Sequence, residues 1–210
     1  MKSDITAILT LYKTPQDKLV NLLQYKKFNP IFFDQAKSIS SEKFLKKKLE
    51  FKFKYYFSKK NIGLSRSSNF LLDKVKTKYC LFTQPDIKIN SKSINELKKE
   101  LRKNKNIIFA GPSYSKIKTK KKIRFIKKIN AACMLCDVKK LKKIGFFDED
   151  FFLYWEDIYL MDKINKSKYK MVLVTNAKAE HISSQSSENN IKTKFIRDLN
   201  FMYGELVYDY

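Results

Sequence analysis

The chain has 210 residues, of which 43% are hydrophobic and 14% aromatic, so it can bury the core of one domain and is not a disordered protein. Its formal net charge of +24 suggests a polyanionic partner. Because only four of the 45 basic residues are arginine and the lysines spread over the whole chain, we expect no nucleic-acid binding.

The first part of the chain alternates strand and helix patterns. Ile5–Leu11 predicts a buried strand, and Thr14-Pro15 predicts the start of a helix with Leu19, Leu22 and Leu23 on its apolar face. Pro30–Phe33 predicts a second strand that ends at Asp34. The segment after Ser40-Ser41-Glu42 begins as a helix, and its later Phe/Lys alternation indicates a change to strand.

The same alternation continues to the end of the chain. The charge run Lys116–Lys122 predicts a mobile loop. Further strands are predicted over Tyr79–Thr83, Ile107–Ala110, Ala131–Leu135 and Met171–Thr175, and further helices over Ser67–Val75, Ile94–Lys103, Val138–Ile144, Asp157–Ile164 and Lys192–Tyr208. Strands that alternate with helices predict an α/β fold, with a mostly parallel central sheet flanked by helices.

We expect one domain over residues 1–210. Residues 191–210 would form a C-terminal helix of that domain. No run of about 18 apolar residues is present, so we expect no membrane-spanning helix. Met1–Asp4 leads directly into a strand pattern without a signal-peptide cleavage site, and we therefore expect a cytoplasmic protein.

Three cysteines are present, Cys80, Cys133 and Cys136. So sparse and odd a set argues against a secreted disulfide scaffold. Cys133 and Cys136 form a C-x-x-C inside an apolar run, which leaves two alternatives: buried packing, or zinc or redox chemistry. Residues three apart in a strand face opposite sides, which favours packing.

Polar residues stand where predicted strands end, at Thr10–Tyr12, Asp34, Asp86 and His181. In open α/β sheets ligands bind beyond the carboxyl ends of the strands, so these positions are candidates for a site. Asp86, in Gln84-Pro85-Asp86, could hold a divalent metal that bridges a diphosphate, or could belong to a simple strand-ending turn.

The segment Phe147–Asp157 mixes aromatic side chains with carboxylates and ends in the pair Glu156-Asp157. Acidic residues are favourable in the first turn of a helix, so the pair could be a helix start. Aromatic neighbours also desolvate carboxylates and raise their pKa, which is how a general base is tuned.

The order of these motifs resembles the family 2 glycosyltransferases, in particular the rhamnosyltransferase-like branch, over about Ile5 to Tyr203. The match is most specific at Gly145–Asp157. Four positions depart from the family pattern: Lys13, Gln84, Ala131 and Tyr159. The remaining matches are Ile5–Tyr12, Phe32-Phe33-Asp34, the spaced Asn61-x-Gly63…Asn69, Gln84-Pro85-Asp86, Ala131–Leu135, and His181 with its following serines.

The resemblance implies a GT-A fold and an inverting transfer of rhamnose or a similar sugar from a dTDP- or UDP-sugar. It also implies that about residues 1–90 form the nucleotide-binding half of the domain and about residues 91–190 the acceptor and catalytic half. Asp157 would be the base, supported by Glu156, and Asp86 and His181 would bind Mn²⁺ or Mg²⁺. The implied donor-binding residues are Thr10, Tyr12, Asp34, Asn61, Gly63, Arg66, Asn69, Gln84 and Ala132.

The implied acceptor is a glycan or a lipid-linked glycan in bacterial surface polysaccharide synthesis, such as that of lipopolysaccharide. Lys46–Lys60 could dock peripherally on the inner face of the inner membrane, or could be a solvated surface. Because of its four departures, the chain could also be a catalytically degenerate protein of the same fold that binds a nucleotide-sugar or a glycan.

Overall fold

The fold is centred on strand β1 (Ile5–Leu11), which a computed structural model of residues 3–36, 39–114, 122–181 and 191–209 places inside a mixed sheet. β1 pairs in parallel with β2 (Ile31–Asp34) on one side and with β4 (Tyr79–Thr83) on the other. β3 (Lys54–Phe57) adds to β2, also in parallel, and forms the edge. These four strands give the parallel half that the sequence predicts.

The other half of the sheet is largely antiparallel. β8 (Cys133–Asp137) runs antiparallel to both β4 and β6 (Ile107–Ser113). The long strand β9 (Lys170–His181) pairs in parallel with β6 and antiparallel with β5 (Ile87–Ile89) and β7 (Ile123–Ile126). The α/β class with a central sheet flanked by helices is confirmed. Among the described strands, six run in one direction, and β5, β7 and β8 run in the other. The order is β3-β2-β1-β4-β8-β6-β9-β5, with β7 on β9.

The first predicted helix is a short α-helix that continues as a 3₁₀ segment. α1 (Gln16–Leu19) passes directly into Val20–Tyr25. A 3₁₀ helix has three residues per turn, so Leu19, Leu22 and Tyr25 lie on one side, and all three are fully buried. Leu23 falls off that side and is 41% exposed, contrary to the expected apolar face.

The remaining helices agree with the predicted ones in place, with shifts of a few residues at their ends. The structure shows no helix able to span a membrane within the described ranges. The charge run Lys116–Lys122 lies almost entirely outside those ranges. The helices are α2 (Ile39–Lys48), α3 (Leu64–Lys74), α4 (Ser91–Lys103), α5 (Val138–Ile144), α6 (Glu156–Asn165) and α7 (Ile191–Asp209).

The core lies on both faces of the sheet. Successive side chains of a strand point to opposite faces, and Leu9 and Ile8 accordingly belong to two different buried clusters. Cys133 packs in the first cluster and Cys136 in the second, and both side chains are fully buried. The C-x-x-C is therefore a packing feature, since its two sulfur atoms lie on opposite faces.

Candidate active site

The register of the sheet brings distant polar residues to one edge. β4 and β8 are antiparallel with Thr83 opposite Cys133, so Gln84–Asp86 leave β4 beside Asn130–Ala132, which enter β8. β5 and β9 are antiparallel with Ile87 opposite His181, which sets Asp86 beside His181. The carboxyl end of β1 supplies Thr10 and Tyr12 to the same edge.

A cavity of about 630 Å³ opens at this edge. Its volume is within the usual range of about 300 to 1,000 Å³ for small-molecule sites. It is lined by ten of the predicted site residues, namely Thr10, Tyr12, Asn61, Gly63, Gln84, Asp86, Ala132, Glu156, Asp157 and His181.

The remaining three predicted donor-binding residues lie outside that lining. The buried carboxylate of Asp34 accepts hydrogen bonds from the hydroxyl of Tyr55 (2.7 Å) and the amide of Ala36 (3.0 Å). Arg66 is an exposed residue 3.6 Å from Glu149. The side chain of Asn69 bonds both the amide (3.1 Å) and the carbonyl (2.9 Å) of Phe147, so it ties α3 to the segment before the acidic pair.

The loop before α3 is joined to the acidic segment through a glycine. Gly63 has φ +89° and ψ 166°, a conformation that is essentially restricted to glycine. A Cβ atom at Gly63 would lie 2.7 Å from the carbonyl oxygen of Phe152, and that oxygen also accepts a hydrogen bond from the amide of Leu64 (2.6 Å). The side chain of Asn61 accepts from the amide of Gly63 (3.0 Å) and shapes the turn.

The acidic pair begins α6 at the cavity wall. Glu156 is 6% exposed, and its Oε2 has no hydrogen-bond partner among the described residues. Burial, with a smaller contribution from the neighbouring charge of Asp157, raises the pKa of Glu156 to about 8. Burial also raises the pKa of Asp157, while the amide of Ile158 (2.9 Å from Oδ1) and Lys128 act in the opposite direction. Asp157 is therefore the first of the pair to lose its proton as the pH rises.

Asp86 and His181 form the second polar group of the cavity. The Asp86 carboxylate is buried, and its Oδ2 lies 3.7 Å from Nε2 of His181. No cluster of three or more His, Cys, Asp or Glu side chains occurs within the part of the chain that the structure describes. Two such groups suit Mn²⁺ or Mg²⁺, which takes few protein ligands and shares its shell with phosphate oxygens and water. The serines after His181 lie outside the described residues.

Several cavity residues have no counterpart in the sequence-based set. Gln35 follows Asp34, and its Oε1 accepts the amide of Ile62 (2.8 Å). Thr193, Ile196 and Arg197 reach the cavity from α7. A polar residue after a strand could have indicated Gln35, but no local signal links α7 to the cavity.

The departing residue Tyr159 does not line the cavity. Its ring packs 5.4 Å from that of Phe151, and the ammonium group of Lys163 lies 4.4 Å from its centre. The side chain therefore has a packing role on α6.

Solved structures of similar shape are sugar transferases. The mannosyltransferase PcManGT from Pyrobaculum calidifontis, in complex with GDP-Man and Mn²⁺, matches with a TM-score of 0.72 and 13% identity, covering 94% of this chain and 61% of that one. GalNAc-T7 with UDP, GalNAc and Mn²⁺ matches with a TM-score of 0.65 and 10% identity, covering 89% and 45%. TarS from S. aureus matches with a TM-score of 0.64 and 14% identity, covering 89% and 38%.

This chain thus spans between 38% and 61% of the length of those three proteins, and at such identities the likeness shows a shared fold. No curated protein matches the sequence. Residues 16–163, well over half of the chain, match the family described as Glycosyl transferase family 2. The chain therefore belongs to glycosyl transferase family 2.

Proposed function

We propose that the protein transfers a sugar from a nucleotide-diphosphate donor to a hydroxyl group of an acceptor. The observation that carries this proposal is that one cavity is lined both by the buried pair Glu156-Asp157 and by Asp86 with His181. The pair Glu156-Asp157 can accept a proton as a general base, and Asp86 with His181 can bind a divalent cation beside a diphosphate. A metal-assisted transfer from a nucleotide-sugar uses both functions in one cavity.

Asp157 removes the proton of the acceptor hydroxyl, whose oxygen attacks the anomeric carbon as the bond to the diphosphate breaks. Glu156 keeps its own proton below about pH 8, so the pair carries one charge and Glu156 can donate a hydrogen bond within the site. Asp86 and His181 would hold Mn²⁺ or Mg²⁺, which would offset the negative charge of the departing diphosphate. Inversion of the anomeric centre is expected of such a single displacement.

The donor and acceptor can be narrowed by the sequence resemblance. The rhamnosyltransferase-like motifs favour dTDP-rhamnose or a UDP-sugar, and an acceptor on a glycan or a lipid-linked glycan of a bacterial surface polysaccharide. Because the solved structures of similar fold contain GDP-Man or UDP, donors with guanine and uracil bases belong in the same test.

Peripheral contact with an anionic membrane surface is part of the proposal. Seven lysines from Lys46 to Lys60 are exposed, at the end of α2, between α2 and β3, on the edge strand β3 and after it. Each contributes about 1 kcal/mol near an anionic lipid surface. Binding to vesicles of anionic lipid that disappears at high salt would support this contact, and no binding at low salt would refute it.

A thermal-shift screen tests the donor. The protein is heated with GDP-mannose, UDP-GlcNAc, UDP-GalNAc or dTDP-rhamnose, with and without Mn²⁺, and a ligand present at 100 times its Kd stabilises by about 2.7 kcal/mol. We expect one donor class to raise the Tm in a Mn²⁺-dependent way, and hydrolysis or transfer of that donor to follow. A donor that stabilises but never turns over would favour the degenerate binding protein instead.

The variant Asp86→Asn distinguishes loss of metal binding from loss of stability. We expect this variant to keep its Tm without ligand and to lose the Mn²⁺-dependent part of donor stabilisation, because one of the two proposed protein ligands of the cation is changed. Asp73→Asn, a change at an exposed carboxylate of α3, is the matched control. Equal Mn²⁺ dependence in the Asp86→Asn and unsubstituted proteins would refute the metal site.

A further inference from the structure

The acidic pair at the start of α6 follows a strained turn, and no side chain of α6 caps that turn. Tyr154 and Trp155 have φ of 68° and 69°, in the left-handed region that side chains other than glycine rarely adopt. Trp155 is the N-cap residue of α6, and no side chain caps that end. The contacts that hold Tyr154 and Trp155 therefore also fix where Glu156 and Asp157 begin.

Those contacts come from α7, at the far end of the sequence. Nε1 of Trp155 donates a hydrogen bond to the carbonyl oxygen of Phe201 (3.0 Å). The ring of Phe201 lies 5.6 Å from that of Trp155 and 6.0 Å from that of Tyr154, and the ring of Tyr208 lies 5.1 Å from that of Trp155. The hydroxyl of Tyr208 also donates to the carboxylate of Asp162 on α6.

Gly204 makes this close approach possible. It is the one buried residue of α7, and a Cβ atom at its position would lie 2.6 Å from Cδ1 of Trp155. The indole ring therefore rests directly against the helix backbone. Much of the remaining surface of α7 is exposed, including Leu199, Met202 and Leu206.

We propose that Trp155 and Gly204 are positioning residues, through which α7 holds the strained turn and so orients Glu156 and Asp157 in the cavity. The inference rests on the proposed function for its catalytic consequence, since it deepens the role of the acidic pair. Neither residue needs to touch a substrate. Their effect is on the geometry of the pair, and a displacement of about 1 Å can lower a rate about a hundredfold.

Gly204→Ala tests this directly. Alanine favours a helix more than glycine does, so the change strengthens α7 as a helix while obstructing Trp155. We expect kcat for transfer to fall about a hundredfold, with nucleotide binding and the donor KM unchanged. Leu206→Ala, on the exposed side of the same helix, is the control and should leave kcat unchanged.

A double-substitution cycle identifies Trp155 as the residue obstructed. In a Trp155→Ala background the obstructing ring is absent, so adding Gly204→Ala should cost little further activity. Trp155 is the only tryptophan in the chain, and its fluorescence should move to longer wavelength in Gly204→Ala as the ring leaves its seat. Independent, multiplying effects of the two changes would overturn the proposal, as would equal kcat values for Gly204→Ala and Leu206→Ala.

Failure of the proposed function would look different, because the unsubstituted protein would then transfer no sugar from any donor. The positioning of the pair is still measurable in that case. Release of the turn exposes Glu156, so Gly204→Ala should flatten the pH dependence of stability between pH 4.5 and about 8. An unchanged pH dependence in Gly204→Ala would overturn the proposal whether or not the protein is active.

Discussion

Two adjacent carboxylates at the start of α6 have different environments, and the difference assigns them different tasks. Glu156 is buried with one oxygen unpartnered by the described residues, whereas Asp157 is half-buried and is bonded by the amide of Ile158. Burial raises the pKa of Glu156 to about 8, and at Asp157 the amide of Ile158 and Lys128 counteract the rise in pKa that burial causes. An ionised base beside a neutral acid follows from their positions alone.

Asp157→Asn should abolish transfer and spare binding. The amide is nearly isosteric but cannot accept the acceptor proton, so we expect kcat to fall by about 10²- to 10⁴-fold. Donor-induced thermal stabilisation should be unchanged. Asp150→Asn, at an exposed carboxylate of the same segment, serves as control. Normal turnover by Asp157→Asn would mean that another group is the base.

Glu156→Gln should stabilise the protein, increasingly with pH. The pKa of this acid is raised in the folded state, from 4.5 to about 8, so the folded chain holds a proton that the unfolded chain has lost. Stability therefore falls as pH rises through that window and levels off above about pH 8. The glutamine avoids this loss, which is a few kcal/mol at about 1.4 kcal/mol per pKa unit.

Urea unfolding at pH 5, 7 and 9 measures this effect. The stability difference between Glu156→Gln and the unsubstituted protein should grow from pH 5 to pH 9, and an exposed control, Glu50→Gln, should show no such growth. A difference that stays constant with pH would contradict the buried, protonated state of Glu156.

At the level of elements, two glycines with nearly the same backbone conformation provide a matched experiment. Gly63 and Gly145 have φ of 89° and 97° with ψ of 166° and 159°. A Cβ at Gly145 meets nothing within 4 Å, whereas one at Gly63 meets the backbone of Phe152 at 2.7 Å. Only Gly63 joins the loop before α3 to the acidic segment.

Both alanine variants should therefore lose stability through backbone strain, by roughly 1 to 3 kcal/mol. Gly63→Ala should lose more, and it alone should lose donor binding, because Phe152 and the cavity wall must move. Urea unfolding and donor thermal shift measure the two effects separately. Equal losses in both assays would show that the contact between Gly63 and Phe152 is unimportant.

The elements that the sequence predicts well are those with a local signature. β1, β4 and α5 have the predicted bounds. The two strands are apolar runs, and α5 lies between the capping residue Asp137 and the terminal Gly145, so each signal acts over a few residues. β5 and β7 are three and four residues long and were not predicted. Among the described strands both pair with β9, which is far away in sequence, so no local pattern marks them.

In the candidate site, too, the residues with a local sequence signature could be predicted. Thr10 and His181 lie in the last residues of their strands and Asp86 follows β4, and the rule that ligands bind at strand ends places them together. The contribution of α7 could not be predicted, because it depends on the packing of Trp155 against Gly204 across some 50 residues of chain. The transfer assays also test whether the four departures from the family pattern abolish activity. Of these four residues, Tyr159 has a packing role, because its ring contacts that of Phe151.

For the whole molecule, the excess of positive charge is the dominant electrostatic feature. The chain carries 45 basic and 21 acidic residues, and such an imbalance destabilises the compact state by self-repulsion. At 0.15 M ionic strength charges more than about 8 Å apart are screened. We therefore expect the Tm to rise with salt between low and physiological ionic strength.

Thermal unfolding in NaCl and in KCl at matched ionic strengths measures this response. If screening is the cause, the two salts should raise the Tm equally, because the repulsion among the lysine and arginine side chains depends on total ionic strength. A Tm that falls with salt would mean that ion pairs such as Lys98–Asp4 and Lys140–Asp137 outweigh the repulsion.

The long strand β9 has a consequence for the order in which the chain can assemble. β9 pairs with β5, β6 and β7, yet it begins only at Lys170. A chain emerging from the ribosome can pair β1, β2, β3 and β4 early. β8 can then add to β4, and β6 to β8. The pairing of β5 and β7, and with it the position of His181 beside Asp86, must wait until β9 has been synthesised.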